Sequence, residues 1–134
     1  MREIAIGHKG TLLLRIDQGE RNPDGTSDYL MITAKLDGLR AVKRVYDFDR
    51  WSRLLSFFEE LEADWRGWDG HRRFDSLEGD FRLAAQHDGH IRFFVELDAF
   101  ELLEPWSAKG EFVLDPGEEL AATVEALRAL LAVR

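Results

Sequence analysis

Apolar and polar residues alternate through the first third of the chain. Ile4 and Ile6, then Leu12, Leu14 and Ile16, mark two strands over residues 2–17, because successive side chains of a strand point to opposite faces. Phase then selects the turn. A two-residue Lys9-Gly10 loop would set Ile6 across from Leu13 and divide the apolar sets between faces. A three-residue His8-Lys9-Gly10 loop pairs Ile6 with Leu12 and Ile4 with Leu14, with Gly10 left-handed and His8 a turn residue. The second hairpin reads the same way: Leu30, Ile32, Ala34 and Leu36 lead into Asp37-Gly38, then Leu39, Ala41 and Val45. Here a two-residue turn keeps phase, pairing Leu36 with Leu39, Ala34 with Ala41, Tyr29 with Tyr46 and Met31 with Arg44.

The period then lengthens. Trp51, Leu54, Leu55, Phe58, Leu61 and Trp65 recur at helical steps, with Asp47 or Asp49 as cap and Gly67 as stop, while Glu59, Glu60, Glu62 and Asp64 fall on the wet side. A third hairpin follows a linking segment. A His87-Asp88-Gly89 loop pairs Ala85 with Ile91, Leu83 with Phe93 and Phe81 with Val95. In FELLEPWSAKGEFVLD, Pro105 interrupts pairing and a final strand runs from near Trp106 to Leu114. Asp115 as cap, Pro116 and Glu118 then open a closing helix with Leu120, Val124, Leu127 and Leu131 on one stripe.

These elements predict a single α+β domain over residues 1–134, in the order ββββαβββα, with a mostly antiparallel sheet and two helices packed on one face.

Composition narrows the function classes more than it selects one. The 134 residues are 45% hydrophobic and 33% charged, a globular balance. Without cysteine, disulfides, thiolate metal sites and cysteine nucleophiles are excluded. No apolar run approaches the ~20 residues of a membrane helix, so the expectation is a soluble, cytoplasmic protein that engages no membrane. The net charge of −8 speaks against nucleic acid and favours a basic protein partner, or serves solubility alone.

Candidate chemistry concentrates between Trp65 and Asp80, WRGWDGHRRFDSLEGD. Trp68, off the helix and flanked by Gly67 and Gly70, suits a ligand platform as well as a core position. His71, Asp75 and Glu78 are the polar groups nearest to it in sequence. Together these four are the candidate ligand- or partner-binding residues; none is assigned a catalytic role, no metal site is assigned and no cofactor is expected. Trp65 and Phe74 are read as locking helix to sheet. Elsewhere, Glu20, Asn22, Asp24, Gly25 and Asp28 occupy calcium-loop positions, but Met31 replaces the bidentate glutamate that closes such a loop. Serine elbows, phosphate loops and HExxH are absent.

Trp65, Gly67, Trp68, Gly70, Arg72, Phe74, Ser76, Leu77, Glu78 and Gly79, followed by Gly89-His90 and Asp115-Pro116-Gly117, resemble an uncharacterised bacterial, actinobacterial-type family of unknown function. Its signature is W-x-G-W-x-G-x-[RK]-x-[WF]-x-S-L-E-G. The resemblance implies a shared fold and brings no activity or catalytic residue. The leading reading is therefore a small non-enzymatic interaction module, of which a toxin-neutralising immunity protein is one concrete version. The alternatives are a small-ligand binder or enzyme using Trp65 to Asp80, and a homodimer through the outer sheet face, where Met31, Val42 and Phe94 lie.

Overall fold

The alternating segments pair as antiparallel hairpins in a computed structural model that describes residues 2–132. In chain order the elements are β1 (Arg2–Ile6), β2 (Thr11–Ile16), β3 (Tyr29–Leu36), β4 (Leu39–Tyr46), α1 (Ser52–Ala63), β5 (His71–Asp75), β6 (Phe81–His87), β7 (Ile91–Asp98), β8 (Ser107–Leu114) and α2 (Glu118–Leu130). The α+β class, the antiparallel pairing and the two helices are as the sequence predicts. The strands, however, form two four-stranded sheets, β1-β2-β3-β4 and β5-β6-β7-β8. The expected order also gains one strand, β5, within the segment read as a link. HRRFD carries a single apolar residue, Phe74, so it offers no alternation to read; its partner β6 supplies the hydrogen bonds.

The first two hairpins have the register that phase predicts: Ile6 meets Leu12 and Ile4 meets Leu14, and Leu36 meets Leu39 while Tyr29 meets Tyr46. The third slips by two residues, so that Phe81 meets Leu97, Leu83 meets Val95, Ala85 meets Phe93 and His87 meets Ile91. The loop is therefore Asp88-Gly89-His90. Phase fixes whether a loop is odd or even, and a slip of two leaves every side chain on its face, so alternation cannot separate these registers.

Both sheets turn their apolar faces to the helices, and one buried cluster includes Leu14, Ile32, Phe93 and Phe112 from strands with Phe58, Leu61, Leu120 and Leu127 from helices. Phe58 stacks on Phe93 at 5.6 Å between centroids, and Phe93 on Phe112 at 4.9 Å. α1, which follows the first sheet, lies against β5 of the second, and α2, which follows the second, lies against β1 of the first. The sheets also touch directly. The backbone of His8 exchanges hydrogen bonds with Val113, N–H to O at 2.8 Å and the reverse at 3.2 Å. Leu36, at the tip of β3, covers Gly110 of β8 so closely that a Cβ there would sit 2.0 Å from its Cδ1.

Helix ends differ from their sequence reading. Trp51 is left-handed at φ 70° and wholly buried, just before the helix instead of on its stripe. Asp49 sets this entry, its carboxylate accepting from the N–H groups of Trp51 and Arg53, each at 3.1 Å. Asp47 is instead buried against the Arg53 guanidinium at 3.0 and 3.1 Å; burial and neighbouring Asp49 push its carboxyl above the usual range, against the pull of Arg53. α1 stops at Ala63, ahead of Gly67, so Trp65 leaves the helical face and is 47% exposed rather than locked in the core. Phe74 does lock, contacting Trp51, Phe57 and Phe81. At α2 the cap residue is Gly117, and Glu119, not Glu118, reaches back to the Asp115 N–H at 2.7 Å.

The acids of the loop between β2 and β3 pair with cations, Glu20 with Arg44 and Asp24 with Arg50, both at 2.7 Å. Among the described residues no helix is long and apolar enough to cross a membrane.

Candidate functional site

The four residues singled out between Trp65 and Asp80 do not converge. Trp68 is half-buried, donating its indole N–H to the Ala85 carbonyl at 3.2 Å, edge-on to His87 at 5.2 Å, with the Arg72 guanidinium 5.0 Å from its ring. It fastens the segment after α1 to β6. Trp68→Phe should therefore lower stability by about 1 kcal/mol through loss of that hydrogen bond, a melting-temperature drop of roughly 4 °C for a chain of this size. An unchanged melting temperature would remove the structural role assigned to this indole.

His71, Asp75 and Glu78 are exposed. His71 and Asp75 share the outer face of the second sheet, where the register aligns Asp75, Arg82, Glu96 and Lys109 across its four strands. The next row is Arg73, Ala84, Phe94 and Glu111. Opposite charges thus alternate around an apolar floor of Ala84 and Phe94, with Asp75 and Glu96 loosely bridged to Arg82 and Lys109 at 3.8 and 3.9 Å. Each such cross-strand pair contributes a few tenths of a kcal/mol, about the scale of its opposite-charge class. The result is an open groove of about 760 Å³ that Asp75 and Glu78 both line, with His71 beside Phe94 at 5.5 Å between rings.

One end of this sheet carries the less ordinary surface. The β5–β6 and β7–β8 loops meet there, tied by a backbone hydrogen bond from Asp98 N–H to Asp80 O at 2.9 Å. Lys43 of β4 reaches between them, 3.2 Å from Asp80 and 2.6 Å from Glu101. Its side chain is only 10% exposed. Burial alone would lower its pKa, but hydrogen bonds and charge from Glu101 and Asp80 prevail and hold the ammonium above its ordinary value. The same contact lowers Glu101. Asp80 is completed by the Ser76 hydroxyl at 2.7 Å.

Around this polar clamp stand exposed apolar side chains: Leu77 at 52%, Phe100 at 58%, Leu102 at 48% and Leu103 fully in solvent. Phe48 is also exposed, beneath Arg53, which donates to the Asp75 carbonyl at 3.2 Å. FELLEP was marked as irregular in sequence, yet nothing there distinguishes an apolar loop that folds inward from one that does not. Lys43 was missed because its partners lie 37 and 58 residues further along the chain.

The histidines separate as well. His87 lies in β6 and contacts the Trp65 carbonyl at 2.9 Å, while His90 contacts Asp115 at 3.0 Å and His8 contacts Glu119 at 3.0 Å. His87 and His90 thus share no partner.

The model of a family described as a family of unknown function (DUF6228) matches residues 6–134. No curated protein and no solved structure matches the chain.

Proposed function

Because the chain belongs to that family, whose function is unknown, we propose a role drawn from its own surface: a non-enzymatic protein-interaction module that docks through the loops joining β5 to β6 and β7 to β8. The observation that carries this reading is that Leu77, Phe100, Leu102 and Leu103, on two loops whose bases are joined by the Asp98–Asp80 backbone hydrogen bond, are all held out in solvent. Several large apolar side chains exposed on neighbouring loops mark a contact site, and a clamped loop loses little further entropy on binding. Glu78, Glu101 and Glu104 are next to these side chains in sequence, and the chain as a whole has a net charge of −8. The matching partner is a protein with an apolar recess inside a basic rim; neutralisation of a basic toxin is one such arrangement. Rim charges of this kind govern the association rate more than the final affinity.

The test compares the wild-type protein with the Leu102→Asp/Leu103→Asp double variant as baits in a native lysate, across a salt series. The wild type should retain a basic partner, and the variant at least about tenfold less, the loss expected when apolar anchors worth more than 1 kcal/mol are removed. Equal retention by both baits, or retention by neither, overturns the reading. Light scattering that shows a dimer dissolved by the same variant would replace the foreign partner with a second copy of the chain.

A further inference from the structure

At the opposite end of the second sheet from those loops, four segments bring ligand-type side chains together. We propose that His8, Asp115 and Glu119 bind a first-row divalent transition-metal ion, Zn²⁺ fitting best, with His90 orienting Asp115. One donor atom from each of the first three lies within 4.8 Å of the others. His8 Nδ1 is 3.0 and 3.1 Å from the two carboxylate oxygens of Glu119. A tetrahedral zinc with bonds of about 2.0–2.1 Å sets its ligand atoms roughly 3.3 Å apart, a spacing reached from here by small side-chain adjustments.

The framework supports these positions. His8 is fixed by its backbone pairing with Val113, Asp115 directly follows β8, and Glu119 occupies the first turn of α2 while accepting from the Asp115 N–H. His90 Nδ1 lies 3.0 Å from Asp115 Oδ1, the outer-shell contact that commonly aims a carboxylate ligand. A cavity of about 280 Å³ lined by His8 and His90, though not by Asp115 or Glu119, opens beside the cluster.

The donor set selects the ion. Imidazole nitrogen with carboxylate oxygen suits Zn²⁺ and its first-row neighbours, whereas Ca²⁺ and Mg²⁺ favour oxygen alone. Charge permits it too. Lys9 and Arg92 line the same cavity, but Arg92 is engaged by Asp88 and Glu111 at 3.6 and 3.3 Å. The partial positive charge of the α2 N-terminus, about half a unit, is smaller than the two full carboxylate charges facing the site. An anion would instead meet Asp115 and Glu119 head-on.

The full-length protein, stripped with chelator, should be titrated with Zn²⁺ by calorimetry and with Co²⁺ by visible absorption. One ion per chain, a Co²⁺ d–d band and a raised melting temperature with Zn²⁺ are expected. His8→Ala and Glu119→Gln should each weaken binding at least tenfold, and His90→Ala by about 10–100-fold, the usual cost of losing an outer-shell partner. His71→Ala, on the far strand, should bind as wild type. Because Glu119 also steadies the helix start, His8→Ala is the decisive variant. Absence of stoichiometric uptake, or equal uptake by His8→Ala in its folded state, overturns the site.

Discussion

Gly10→Ala should destabilise the protein by about 2–6 kcal/mol, combining backbone strain of roughly 1–3 kcal/mol with a comparable overpacking cost. Gly10 has φ +104°, and a Cβ on it would stand 2.8 Å from the Glu111 carbonyl oxygen and 3.1 Å from Leu36 and Phe112 side chains. The nearest obstacle is backbone, so a rotamer change cannot relieve it. The turn between β1 and β2 would have to lift from β8. Urea unfolding should show a lower midpoint with an unchanged slope. Gly38→Ala supplies the comparison: φ is +76° with nothing within 4 Å of an added Cβ, so the expected cost is strain alone, about 1 kcal/mol. Equal losses at both positions would refute the close-contact argument for Gly10.

Lys43→Met should cost about 3–5 kcal/mol, the range for removing one partner from a buried ion pair. Lys43 and Asp80 are 10% and 3% exposed, and the substitution leaves Asp80 charged with, among the described residues, the Ser76 hydroxyl as its remaining side-chain partner. Adding Asp80→Asn should recover part of the loss, since the amide keeps a hydrogen-bond partner without an unpaired charge. The pH dependence follows from direction. The folded pKa of Lys43 is raised, so its contribution is complete below the ordinary lysine value of about 10.4 and disappears as pH climbs through the folded value. The stability gap between wild type and Lys43→Met should hold constant up to the ordinary lysine value and narrow from there as pH climbs through the raised folded value. A gap that already shrinks near neutrality would contradict the assignment.

Which face each hairpin side chain takes was legible wherever apolar residues alternated on both arms, because a slip of one residue would strand a whole apolar face in water; a slip of two moves no side chain across the sheet, so the register of the third hairpin was not legible. The limits were physical. β5 carries one apolar side chain and exists through its pairing with β6 and the docking of Phe74, neither of which is local. Trp65 kept helical spacing, but spacing cannot show that α1 ends at Ala63. The candidate site was legible only in part: Asp75 and Glu78 line a groove, His71 sits near it, and Trp68 is turned to another task. His8, His90, Asp115 and Glu119 were scattered over more than a hundred residues; the β7–β8 pairing sets His90 beside Asp115, and the packing of β8 on the β1–β2 turn brings in His8.

The crossed placement of the helices governs how this protein can come apart. Each half of the chain is a four-stranded meander followed by a helix, and each helix lies against the first strand of the other half's sheet. A meander forms early because its contacts are near in sequence, but its helix packs on the other helix and against the first strand of the other half's sheet. The halves are mutual chaperones: loosening α2 uncovers β1, and loosening α1 uncovers β5. Loss of either helix therefore weakens both sheets, so unfolding gains nothing from stopping halfway and proceeds as one cooperative event.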